Sequence, residues 1–127
     1  MNRLIALGLT LLAGVAIGAV ALGGLHAQGK PGVYAVIDIS EITDPDTFKT
    51  LGPKVGPAMA GTGAQFIMRT ENITAVDGTP PKRFVVIGFD SLDKAKAWAA
   101  SPLQKEIDAI RGKSTKSREF FVEALAN

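Results

Sequence analysis

The chain has 127 residues, no cysteine and a single histidine, His26, and its 14 Lys and Arg against 12 Asp and Glu leave a formal charge of +2. So even a balance gives no electrostatic footprint for nucleic acid. Without cysteine there is no disulfide and no thiolate nucleophile, and with the one histidine confined to position 26 the rest of the chain is closed to Ser-His-Asp and Cys-His catalysis, lacks the usual neutral-pH proton shuttle and lacks the usual zinc ligands.

Residues 1–27 read as an export signal. Arg3 is the one early cation, Leu4 to Leu25 is an uncharged apolar run, and the stretch ends in small residues, with Ala27 before the expected cut and Ala19-Val20-Ala21 as a second candidate. The alternative is an uncleaved membrane anchor, since the run reaches the roughly 20 residues that a bilayer-crossing helix needs. Gly8, Gly14, Gly18, Gly23 and Gly24 weaken that alternative. Either reading places the domain outside the cytoplasm, periplasmic or secreted, with membrane contact only if the segment stays uncleaved. Removing Arg3 leaves 13 basic residues against 12 acidic ones, a net +1. The domain then spans residues 28–127, enough for one core.

From Val33 to Ser40, period-two alternation puts Val33, Ala35, Ile37 and Ile39 on one face and Tyr34, Val36, Asp38 and Ser40 on the other, which predicts a strand over a core. Asp44 and Pro45 suit the cap and first position of a helix. Phe48, Leu51, Val55 and Met59 form its apolar stripe. Pro53 and Pro57 interrupt it, each costing about 3 kcal/mol in a regular helix, so a kinked or broken helix is expected, leaving through Gly61-Thr62-Gly63. A second strand follows at 64–70. Ile73 to Val76 reads as a short extension and Asp77-Gly78 as a tight turn. Residues 83–89, nearly all apolar, predict a central strand covered on both faces.

Ser91 caps the next helix, with Leu92, Ala95, Trp98 and Ala99 as its buried stripe. Ser101 with Gln104 forms a second capping-box-like unit that marks a kink, after which Leu103, Ile107 and Ile110 continue the apolar face. Gly112 is the expected helix end, and Arg111 to Arg118, with four cations, reads as a solvated loop. Its Lys113-Ser114 lacks the second glycine and the preceding strand of a phosphate loop. Ser117 to Ala124 is the last strand.

The order β-α-β-β-α-β predicts an α+β, ferredoxin-like domain: a four-stranded antiparallel sheet with two helices on one face. The other face, carrying Tyr34, Val36, Phe84, Val86 and either Phe120 or Phe121, is too apolar to be left wet. The economical cover is a second copy in an isologous homodimer.

The pieces Thr43-Asp-Pro-Asp46, Gly63-Ala-Gln-Phe66, Arg69, Pro81-Lys-Arg-Phe-Val-Val-Ile87, Phe89-Asp-Ser-Leu92, Ala97-Trp98, Ser101-Pro102 and Phe121-Val-Glu123, in this order and spacing, resemble the domain-of-unknown-function family 1330 of the dimeric α+β-barrel superfamily. The resemblance runs over nearly the whole chain after the signal. It implies the same fold, a dimer of facing sheets and a cavity between sheet and helices, but no known reaction. Where that family carries a Glu after the apolar strand run, this chain has Gly88. The aromatic after its Trp is here Ala99, the Glu and Tyr after its Ser-Pro are Leu103 and Gln104, and two loop glycines after Arg69 are Thr70 and Glu71.

Five residues are candidate ligand contacts. Arg69 and Arg83 suit a carboxylate or enolate oxygen, or an edge salt bridge with Glu71, Asp77 or Asp90. Asp38 is a buried base or a strand residue paired with a cation. Trp98 is a pocket wall or simply core, and Tyr34 lines the dimer cavity or packs there. No metal site and no cofactor are expected. The leading expectation is an exported homodimer that binds a small molecule by the sheet without catalysing a reaction. The alternatives are a cofactor-free monooxygenase or isomerase acting on an activated phenol or lactone, and a structural or partner-binding dimer.

Overall fold

The computed structural model describes residues 30–125, and the export signal or anchor expected at residues 1–27 lies outside them. The compact unit begins at Pro31. Its elements are β1 (Val33–Ile42), α1 (Pro45–Lys49), α2 (Gly52–Met59), β2 (Gln65–Thr70), β3 (Arg83–Phe89), α3 (Leu92–Ala100), α4 (Pro102–Ser114) and β4 (Thr115–Glu123). The strands run in the order β2-β3-β1-β4, each antiparallel to its neighbour. This is the ferredoxin-like arrangement. The sheet is open rather than closed into a barrel, with β2 and β4 as its edges.

Each crossover is two helices because caps and prolines divide it. The Asp44 carboxylate accepts from the Thr47 N–H at 3.2 Å and from the Thr47 hydroxyl at 2.6 Å, starting α1. Pro53 lies in the first turn of α2, where a missing N–H is harmless, while Pro57 lies inside it and keeps it short. In the second crossover the Ser101 hydroxyl ends α3 by donating to the Trp98 carbonyl at 2.8 Å and opens α4 by accepting from the Gln104 N–H at 3.3 Å. Gly61, Gly63 and Gly78 all adopt positive φ, as their turns require.

The inner sheet face carries the core. Val33, Ala35, Ile37 and Ile39 of β1 meet Val85, Ile87 and Phe89 of β3 under Ala95 and Trp98 of α3. A second cluster, Leu51, Ala58 and Ile107, joins α2 to α4. On the outer face Val36 and Gly88 are buried, Tyr34, Phe84 and Val86 are half-buried, and Phe120 and Val122 are exposed. Register settles the choice between the two phenylalanines: Phe120 opposes Val36 on the outer face, and Phe121 opposes Ala35 on the inner one. The outer side of β3 is therefore only partly covered within one chain.

Four local expectations change. Gly112 does not end its helix, because α4 continues to Ser114, whose carbonyl accepts from the Thr43 and Asp44 N–H groups at 2.8 and 3.1 Å. The segment 111–118 is therefore no loop but a helix end passing directly into β4. Leu103 is exposed, and the buried stripe of α4 runs instead through Gln104, Ile107 and Ser114, the face on which Ile107 packs against Leu51 and Ala58 of the first crossover. Ile73 to Val76 joins no strand ladder.

Candidate functional site

A cavity of about 260 Å³ lies between the inner sheet face and the helices. Its origin is local. The first crossover, split by its prolines, supplies one helix with no buried residue and another with only Ala58 buried, so it underfills the space over β2 and β3. Ile37, Ile39, Val85 and Ile87 form the floor, while Phe48, Leu51, Val55, Met59 and Ile107 wall it from the helices. The size and the mostly apolar lining suit a small organic molecule.

The polar side chains in the wall are of one charge. Lys49, Arg69, Arg83 and Arg111 line the cavity, together with Gln104, and no Asp or Glu does. The Arg83 guanidinium is tied to Glu71 on the adjoining loop, Nη1 to Oε1 at 3.2 Å, and stands 5.9 Å from the centre of the Phe48 ring. Arg111 is held from behind by two carboxylates, Asp108 at 2.9 Å and Glu119 at 2.7 Å, and donates to the Ser117 hydroxyl at 3.4 Å. Burial pushes the Glu119 carboxyl above its ordinary value, the Arg111 charge pulls it back, and Asp108 adds to the rise. The Gln104 amide donates to Asp108 at 3.0 Å, which locks the same group of side chains.

Arg69 differs from the other arginines. Among the described residues it forms no ion pair; its guanidinium lies over the Phe66 ring, 4.7 Å from the centroid. Strict alternation would put Phe66 and Arg69 on opposite faces. The β2–β3 register shifts between Phe66 and Met68, and this bulge lets both residues line the same cavity. Trp98, only 2 % exposed, stacks at 43° with its ring centre 5.1 Å from that of Phe89 and also lines the cavity. Its indole N–H is buried without an acceptor among the described residues, as is the Arg111 Nε.

Arg69, Arg83 and Trp98 are thus brought together around one cavity, and Trp98 is at once core and wall. Tyr34 and Asp38 are elsewhere. Both lie on the outer face, where Tyr34 opposes Gly88 and Val122, and Asp38 pairs with the Arg118 guanidinium at 3.2 Å. The sequence reading overlooked Arg111 and Gln104 as cavity residues. Their spacing of seven with Ile107 between was the available signal, because it repeats on one helix face.

The fold and cavity define a ferredoxin-like α+β domain with a sheet–helix pocket. The chain belongs to the family described as Domain of unknown function (DUF1330), whose profile matches residues 32–125. Solved structures share the fold at low identity. A protein of unknown function from Rhodopseudomonas palustris matches with a TM-score of 0.61 at 12% identity, over 77% of this chain and 86% of that one. A dimeric ferredoxin-like protein of unknown function from Thermobifida fusca gives 0.55 at 14%, over 74% and 92%. SnoaB, a cofactor-independent oxygenase from Streptomyces nogalater, gives 0.52 at 15%, over 77% and 97%. The search among curated proteins returns no match.

Proposed function

We propose that this is an exported, homodimeric domain that binds a small molecule in the cavity between its sheet and its helices. The observation that carries the reading is the cavity itself: an apolar floor and walls of about 260 Å³ with a few convergent polar groups. Its lining holds no Asp, Glu, His, Cys or Tyr to take up a proton, which favours binding over proton-abstraction chemistry.

The dimer is supported by the outer sheet face, where Tyr34, Phe84, Val86, Phe120 and Val122 remain partly or fully exposed beside Ile67 and Met68, which are 46% and 47% exposed. A two-fold contact of facing sheets would cover them all. The Thermobifida fusca protein of the same fold is dimeric. Export rests on residues 1–27, the basic start, apolar run and small-residue end of a signal.

Native mass spectrometry of the domain purified from its export compartment tests both parts at once. The expected result is a dimer that retains a small molecule. A monomer at high concentration with no ligand, and no stabilisation by any member of a metabolite library, would remove the proposal.

A further inference from the structure

Taking the cavity to be a ligand site, as proposed above, we infer that its ligand is a small apolar anion, a carboxylate whose charged end sits at the rim formed by Lys49 and Arg69. The first argument is charge accounting within the wall. Four cations line the cavity and no carboxylate does. Two of them are neutralised from outside it, Arg83 by Glu71 and Arg111 by Asp108 and Glu119. Lys49 and Arg69 have no carboxylate within ion-pair distance among the described residues, so two of the four cations in the lining are left to meet an incoming anion. Both are exposed, as rim residues that meet an incoming charge should be.

The second argument is the cost of building this arrangement. Arg69 is brought to the cavity by an irregularity in β2, and its planar guanidinium is already oriented by the Phe66 ring at 4.7 Å. An oriented guanidinium with free N–H groups is suited to a bidentate carboxylate. The third is an unpaired donor: Trp98 lines the cavity and its buried indole N–H has no acceptor among the described residues, a deficit that a ligand oxygen within reach would remove.

The test uses three probes of similar shape: para-hydroxyphenylacetate, its uncharged amide, and tyramine, which carries a cation instead. Trp98 is the only tryptophan in the chain, so its indole N–H resonance reports on each probe without ambiguity. The acid should bind about tenfold or more tightly than the amide, with tyramine weakest. The acid's advantage should shrink with added salt. Arg69→Gln should weaken the acid more than the amide and so cut the acid's advantage, Lys49 keeping the remainder. An amide or amine that binds as well as the acid would overturn the anion inference while leaving the cavity a ligand site. Failure of all three to move the Trp98 resonance at millimolar concentration would overturn the inference and the ligand-site reading together.

Discussion

The two faces of one sheet, built from alternate residues of the same strands, have been finished in opposite ways. The inner face meets helices of its own chain and is buried, yet it keeps a hollow with cations in its wall. The outer face is covered only in part, by Pro31 over Gly88, and elsewhere shows aromatic and branched side chains. The difference lies in what each face can obtain within a single chain. Helices supply cover but are too broken here to fill every gap. What residues 30–125 leave uncovered on the outer face is an apolar layer open to another molecule. Ion pairs sort the same way. The inner pairs of Arg111 are mostly buried, at 12% side-chain exposure for the arginine, whereas outer Arg118, at 74%, is solvated beside Asp38.

The largest effect expected from this contrast is at Trp98. Trp98→Ala removes a fully buried indole from the inner face and should cost about 3–5 kcal/mol in denaturant unfolding. Phe120→Glu on the outer face should behave differently, changing the stability of one subunit by no more than about 0.5 kcal/mol while shifting sedimentation from dimer to monomer. If Phe120→Glu unfolds the subunit instead, the outer face is core rather than interface and the contrast fails.

A smaller effect tests a place where the outer face is closed, Gly88 under Pro31. A Cβ at position 88 would stand 2.5 and 2.9 Å from the Pro31 Cγ and Cβ, so Gly88→Ala should cost about 1–3 kcal/mol. Much of that loss should return in the double variant with Pro31→Gly, which removes both contacting atoms, as a thermal melt of the pair would show. Lack of recovery would place the clash elsewhere.

The smallest effect sharpens the electrostatics behind the cavity. Burial raises Glu119 above its ordinary 4.5, so the folded chain holds this proton more tightly than the unfolded one. The resulting stabilisation is fully present below that ordinary value and is lost as pH rises through the raised folded value. Glu119→Gln, which cannot ionise, should flatten this part of the pH–stability curve and be no less stable than the native chain near neutral pH. Denaturant titrations across that range check it, and a clear loss near neutral pH would show that the Arg111 pair outweighs the burial.

Much of the architecture was legible in the residues because its signals are local. Alternation in 33–40, the Asp44, Ser91 and Ser101 caps and the paired prolines depend on neighbours a few positions away, and each reappears in the structure. The cavity was legible only in part. Arg69, Arg83 and Trp98 could be named, but grouping them apart from Tyr34 and Asp38 required the sheet faces to be known. Arg111 was misplaced because Gly112 suggested a stop, while the bonds that carry the helix past it come partly from distant Thr43 and Asp44.

The sequence by itself determined which stretches become strands and helices, which strand faces are apolar, and that the portion after residue 27 has neither cysteine nor histidine, since these follow from short-range sterics, hydrogen bonding and composition. Only the tertiary structure decided that Phe66 and Arg69 share a face, that Gln104 rather than Leu103 turns inward, and that two cations of the cavity wall stay unpaired. A bulge, a helix phase and an ion pair's partner are each set by contacts between segments far apart in the chain, whose energies no local pattern contains.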